Sequence, residues 1–346
     1  MTRRKSGWAT VFGFVLILEL AGCGSGAPEV LITGAGATFP YPLYSKWFYQ
    51  YYKQFPGSQI NYQSLGSGAG VRQISEGTVD FGASDQPMND EQIAAFRQKR
   101  NTNILHFPTV LGADVPVYNL PGVATGLNFT PEVLAGIFLG KITRWDDAGI
   151  ASANPGVKLP SKEIVVVHRS DGSGTTYIWT DYLSKISPEW KSKVGKGTSV
   201  NWPMGLGAKG NEGVSGQIEQ IPNSFGYMEL IYAVQNNMSY GKVRNRSGAF
   251  IKASLATVTA AAAGVELPDD FRVSITDPDG ADAYPIASFT WLLIPEEFKN
   301  KEKMLLLRDF LNWMLGPGQT MTSDLLYSPL PATVIAKERA AIARIH

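Results

Sequence analysis

The residues best suited to chemistry lie in His168–Thr176, H-R-S-D-G-S-G-T-T. Arg169 offers a planar, permanently charged fork of donors, and Ser173 and Thr175 offer hydroxyls. Ser173 is also placed to cap the helix predicted by T-T-Y-I-W-T-D-Y-L, in which Ile178, Tyr182 and Leu183 fall at helical spacing. The first N–H groups of such a helix have no internal partners, and its dipole favours negative charge. With Arg169 beside them they make an anion site. The alternative is an ordinary capped helix with a surface Arg169–Asp171 pair. The same arrangement recurs, however. G-A-G-A-T-F-P sets Thr38 and Phe39 at the start of a helix entered through Pro40, L-G-S-G-A-G sets Ser67 as the N-cap of another, and Ser84-Asp85-Gln86-Pro87 ends a third strand. Each is weak evidence alone, since Ser and Gly before a helix are common capping chemistry; the repetition is the signal.

Several other chemistries are excluded. Gly34 and Gly36 lack the third glycine of a dinucleotide fingerprint, and no G-K-[ST] occurs. Ser173 does not sit in G-x-S-x-G, because Asp171 holds the first glycine position. His106, His168, His346 and a single cysteine cannot make a His/Cys zinc cluster, so no metal or cofactor is expected. His168, five residues before Ser173 on the strand side, reads as a packed or solvated histidine rather than a general base.

The elements that must carry these residues alternate strand and helix. Strands are predicted at Val30–Ile32, Ile60–Tyr62, Val79–Ala83 and Ile164–Val167, the last an unbroken apolar run suited to a buried parallel sheet. Loops at the carboxyl ends of such strands gather in one crevice, which would bring Thr38, Phe39, Ser67 and Asp85 together. Leu43, Trp47, Phe48, Tyr51 and Phe55 form an apolar helical stripe, and Val71 and Ile74 face inward on the next helix. Phe107–Tyr118 reads as a crossover out of a first lobe, and Asp282-Ala283-Tyr284-Pro285 as the return. Between them, helix signals occupy Pro131–Leu139 and the long segment Trp145–Ser161. Trp202–Val214 is a glycine-punctuated approach to a further helix, Phe225–Tyr227 a strand, and Lys252–Ala263 an Ala-rich helix. A strand at Thr290–Ile294 and an amphipathic helix at Met304–Leu315, stopped by Gly316-Pro317-Gly318, complete the pattern.

At 346 residues the chain accommodates two lobes of ordinary size. Arg3, Arg4 and Lys5 precede an uncharged, mostly apolar run, Gly7–Leu18, too short to span a bilayer comfortably. That run ends in Leu20-Ala21-Gly22-Cys23, the form of a bacterial lipobox, and Cys23 is the only cysteine in the chain. Residues 1–23 therefore read as an export leader with cleavage before a lipid-bearing Cys23, a conventional secretory leader being the alternative. Removing Arg3, Arg4, Lys5 and Glu19 leaves 28 basic against 29 acidic residues, a net charge of −1. Such a balance makes no nucleic-acid surface, and any anion selectivity must be local.

Taken in order, these motifs resemble the substrate-binding protein of the bacterial high-affinity phosphate ABC transporter over nearly the whole exported chain. The resemblance rests on G-A-G-A-T-F-P, Y-Q-S-L-G-S-G-A-G-V, V-D-F-G-A-S-D, F-P-T-V, L-G-K-I-T-R-W-D-D, R-S-D-G-S-G-T-T, W-P-M-G-L-G-A-K-G-N and D-A-Y-P-I. It implies an α/β, two-lobed periplasmic-binding-protein fold of type II, each lobe a mostly parallel sheet flanked by helices, with two hinge crossovers. Lobe 1 would comprise residues 24–116 and 286–346, and lobe 2 residues 117–285. By position it implies phosphate ligands at Thr38, Phe39, Ser67 and Asp85 from lobe 1 and at Arg169, Ser173, Gly174 and Thr175 from lobe 2. Asp171 would orient Arg169. It further implies a monomer that delivers phosphate to transmembrane permease subunits. The lipobox is typical of only part of the family, so anchoring rests on residues 20–23 alone.

A carboxylate in an anion site is the informative oddity. Two unit charges ~4 Å apart repel by about 4 kcal/mol at an effective dielectric of ~20, unless a proton lies between them. Phosphate near neutral pH retains an O–H that Asp85 can accept, and sulfate has none. A site built to receive a ligand hydroxyl rejects the analogue lacking it by roughly 10⁴–10⁵. The competing readings are a secreted phosphatase or hydrolase using Ser173 or Ser67, a carrier of another tetrahedral oxyanion, and a sensor or adhesin on the same scaffold.

Overall fold

A computed structural model describes residues 1–2 and 30–346; the leader features Arg3, Arg4, Lys5 and the lipobox with Cys23 lie outside the described residues. The strands are β1 (Val30–Gly36), β2 (Ser58–Ser64), β3 (Phe81–Ser84), β4 (Ile104–Asn119), β5 (Asn128–Phe129), β6 (Val165–Arg169), β7 (Leu206–Ala208), β8 (Ser224–Glu229), β9 (Ser239–Tyr240), β10 (Lys242–Arg244), β11 (Phe250–Ile251) and β12 (Ala287–Pro295). One hydrogen-bonded order runs β2-β1-β3-β12-β4-β8-β6-β7, with β9 on the side of β4, and β11-β10-β5 form a small separate sheet. β1 pairs in parallel with β2 and β3, and β6 in parallel with β7 and β8. These two parallel groups are the sheets of a two-lobed α/β fold.

What joins them is β4. Its sixteen residues are buried almost end to end, the first part antiparallel to β12 and the part from Asp114 onward antiparallel to β8. The crossover expected at Phe107–Tyr118 is thus one long strand. Proline is disfavoured inside a central strand, and Pro108 sits where the β4–β12 register shifts, between Thr290 and Trp291, so its missing N–H falls at an irregularity. A buried link between lobes must satisfy its backbone groups, and pairing with β12 and then β8 does so. The return crossing passes through Tyr284 and Pro285 into β12, which extends well beyond Thr290–Ile294.

Helices cover both sheets. Tyr41–Gln54 turns Leu43, Trp47, Phe48 and Tyr51 into the core, whereas Phe55 lies past the helix end, before Pro56-Gly57, and is exposed. In Ser67–Glu76, Ile74 is fully buried and Val71 partly so. Within Trp145–Ser161 only Ala148–Ala153 is helical, because Pro155, Gly156 and Pro160 prevent continuation. The Ala-rich helix is trimmed to Leu255–Ala262 by a capping box between Ser254 and Thr257. Lys301–Met314 buries Leu307, Phe310, Leu311 and Met314, as its periodicity predicts.

Candidate functional site

The carboxyl ends of β1, β2 and β3 deliver Thr38, Phe39, Ser67 and Asp85 to one place, and β6 with the following helix delivers Arg169, Ser173, Gly174 and Thr175 opposite them. All eight are buried. The two sides touch. Gly68 N–H donates to the Gly172 carbonyl at 2.8 Å, Asn211 Nδ2 donates to Thr38 Oγ1 at 2.8 Å, and Tyr232 OH donates to the Thr38 carbonyl at 2.7 Å. A Cβ on Gly174 would lie 2.4 Å from both Asp85 Oδ2 and Ser67 Oγ, so glycine is what lets the helix approach the carboxylate. Gly66, at φ +96°, meets Asp171 Oδ2 in the same way from the other side.

The hydroxyls of Thr38, Thr175 and Ser173 are held so that each oxygen already accepts and its proton is left to donate. Thr38 Oγ1 accepts from Asn211 Nδ2, and Thr175 Oγ1 accepts from Arg169 Nη1 at 3.1 Å and from Asn211 Nδ2 at 3.3 Å. Ser173 caps the helix Gly174–Ile186 as predicted, accepting Thr176 N–H at 3.0 Å. Ser67 departs from expectation. Gly66, with its positive φ, is the N-cap of Ser67–Glu76, and Ser67 Oγ instead accepts the Asp85 N–H at 3.1 Å. Its bond to Asp85 Oδ2, at 3.4 Å, is long enough to be exchanged for a better acceptor. Four hydroxyl donors converging with a guanidinium form a cage for an oxyanion.

Arg169 ends β6, and its Nε and Nη2 grip Asp171 Oδ1 and Oδ2 at 2.8 and 2.6 Å. Asp171 also accepts the Gly210 N–H at 3.0 Å. Burial pushes the Asp171 carboxyl up, but the guanidinium and that N–H outweigh it and hold the group below the usual carboxylate range. The fork is thereby fixed with one N–H on each Nη unpaired among the described residues. Asp85 has the opposite balance. Burial raises its pKa to about 7 against the lowering effects of Thr290 Oγ1, which donates to Oδ1 at 2.7 Å, of Arg169 and of Ser67. A carboxyl poised there accepts a proton from a ligand readily and resists facing a fully ionised one.

Residues 23–317 match the PBP superfamily domain. Phosphate-binding protein PstS of Pasteurella multocida (strain Pm70) is 46% identical over 312 residues, with 89% of each chain covered. The PstS of Xylella fastidiosa (strain Temecula1) is 45% identical, covering 90% of this chain and 85% of its own. The chain belongs to the PstS family. Among solved structures, a high-affinity periplasmic phosphate-binding protein, PfluDING, bound with phosphate, superposes with a TM-score of 0.75 at 24% identity, covering 90% of this chain and 93% of its own. At that identity it establishes the shared fold.

The structure adds residues to which the sequence assigned no role in the site. Asn211 lay within the glycine-punctuated Trp202–Val214 stretch, yet its amide links Thr38 to Thr175 across the cleft, and its Oδ1 accepts the Glu229 N–H at 3.2 Å. Thr290 lay in the predicted strand Thr290–Ile294, to which no role in the site was given. Tyr232 and Tyr327 fix the Thr38 and Phe39 carbonyls at 2.7 and 2.6 Å, orienting the backbone at this corner of the cleft. An asparagine at the start of a helix after G-A-K-G was the only trace of any of them. Of the two alternatives left for His168 the structure shows the packed one, half-buried and stacked on Trp202 with ring centroids 4.7 Å apart.

Proposed function

We propose that this chain is an exported carrier that captures inorganic phosphate between its lobes and hands it to the permease of a phosphate ABC transporter. The observation that carries this reading is the donor cage of Thr38, Ser67, Ser173, Thr175 and Arg169 closed against one poised carboxyl, Asp85. The names of its relatives, phosphate-binding protein PstS, agree with it. Thr38, Phe39, Ser67 and Asp85 hold the anion from one side and Arg169, Ser173, Gly174 and Thr175 from the other, with Asp171 orienting the fork. Lobe 1 is residues 24–116 with 286–346 and lobe 2 is 117–285; the change of partner along β4, between Ala113 and Asp114, lies close to that boundary and supports a crossing there. Closure completes the donor set, since neither lobe supplies it alone. The exported protein is a monomer, held at the membrane through lipid on Cys23.

A hydrolytic role for Ser67 or Ser173 fits less well. Ser67 Oγ is bound to the Asp85 N–H and Ser173 Oγ caps its own helix, while His168 stacks on Trp202 and His106 Nε2 accepts the Met88 N–H. Calorimetry with phosphate, arsenate and sulfate tests the assignment. Phosphate and arsenate should bind, sulfate weaker by roughly 10⁴, and Asp85→Asn should narrow that gap. Equal phosphate and sulfate affinities in the parent protein would refute it.

A further inference from the structure

Beneath the donor cage, the strand that joins the lobes carries a carboxyl that the site does not use. Asp114 is fully buried, and neither Oδ1 nor Oδ2 accepts a hydrogen bond among the described residues. Its position is particular. Ala113 is the last β4 residue paired with β12, and Asp114 is the first paired with β8, so the side chain sits at the joint. Only the backbone is anchored, the N–H to the Ile286 carbonyl at 2.9 Å and the carbonyl to Tyr284 OH at 2.8 Å. Directly across the ladder stands Glu229, whose Oε1 also has no donor; its Oε2 accepts the Ile231 N–H at 2.7 Å.

The groups that act on Asp114 are Asp85 after β3, Glu229 and Tyr227 on β8, Arg169 on β6 and Tyr284 before β12. Arg169 is the single cation among them, and Asp171 already holds it in two bonds. Burial first, then repulsion by Asp85 and Glu229, pushes the Asp114 carboxyl well above its ordinary range, and Arg169 opposes this only in part. Like charges directly opposite on a ladder are also destabilising. A bound anion adds a further negative charge to the same neighbourhood.

We propose that Asp114 is a second ligand-sensing carboxyl of the cleft, one that must take up a proton for the lobes to shut over phosphate. This rests on reading the cleft as a phosphate site. An acid whose pKa rises on shutting binds its proton more tightly in the shut state. Its help is therefore complete below the pKa of the open state and is lost as pH rises through that of the shut state. Phosphate capture then weakens with pH more steeply than the titration of the ligand and Asp85 alone would make it.

The test is calorimetry of phosphate binding between pH 6 and pH 9 in buffers of different ionisation enthalpy, which counts protons taken up. Asp114→Asn keeps the shape and removes the charge; Asp114→Val does the same if the amide disturbs folding. Each variant should bind like the parent at pH 6, bind at least about tenfold more tightly than the parent at pH 9, and take up about one proton fewer in between. Ligand titration is common to all the proteins and cancels. Unchanged proton counts and pH slopes in both variants would overturn the proposal, as would loss of the slope in Glu229→Gln but not in Asp114→Asn. If phosphate gave no heat with the parent, the assigned ligand would be wrong, and small-angle scattering without ligand would decide. The parent must then be more compact at pH 6 than at pH 9, a difference abolished in Asp114→Asn; its persistence in the variant would overturn the proposal.

Discussion

Replacing Gly174 by alanine should disable capture while leaving the fold intact. A Cβ there would lie 2.4 Å from Asp85 Oδ2 and Ser67 Oγ, whereas ordinary contact begins at 3.4 Å, so the lobes must part locally by about 1 Å. Asp85 cannot easily yield, because Thr290 holds Oδ1 at 2.7 Å. At that separation the Gly68–Gly172 and Asn211–Thr38 bonds, both 2.8 Å, leave hydrogen-bonding range. Each is worth about 1 kcal/mol, and one charge-assisted bond to the anion about 2 kcal/mol, so affinity should fall roughly a thousandfold. The ligand-free protein relieves the clash by opening, and alanine favours the first helical turn, so its melting temperature should not drop. Calorimetry with phosphate and thermal unfolding without it separate the two effects. Affinity within threefold of the parent would show that Gly174 does not meet Asp85 in the bound state and would refute the reasoning.

Two further outcomes are expected. Cys23→Ser should abolish fatty-acid labelling and release the protein from the membrane fraction; unchanged labelling would remove the lipid anchor from the assignment. Glu338, on the helix Ala332–Ile342, is fully buried, both its carboxylate oxygens are unpartnered among the described residues, and burial raises its pKa well above the ordinary value. Such a group supports folding below its unfolded pKa and progressively less as pH rises through its folded one. Glu338→Met should therefore raise the melting temperature by a few degrees at pH 8, roughly 2 kcal/mol of stability, and by much less at pH 4; an advantage that does not grow with pH would refute this.

Local chemistry made much of the fold legible. Caps and periodicity placed Ser173 and the helix after it, the stripe from Leu43 to Tyr51, and the C-terminal amphipathic helix, because these depend on neighbours within a turn or two. They failed where distant partners decided the outcome. Ser67 looked like a cap, but the Asp85 N–H claims its oxygen and Gly66 takes the capping position. The Phe107–Tyr118 stretch read as a crossover without a secondary structure of its own, and it is the pairing with β12 and β8 that makes it a strand and supplies the irregularity that tolerates its proline.

The sequence by itself determined which residues could form an oxyanion cage, since strand ends, glycine turns and hydroxyls recur in it at matching places. Only the tertiary structure decided how those groups are used. Asn211 occupies the oxygens of two threonine hydroxyls, Thr38 across the cleft and Thr175 on its own side, burial rather than sequence context poises Asp85 near neutrality, and the joint of β4 places Asp114 opposite Glu229. The physical reason is range. Capping and amphipathicity act over a few residues, whereas desolvation and the charge of a buried group depend on every element folded around it.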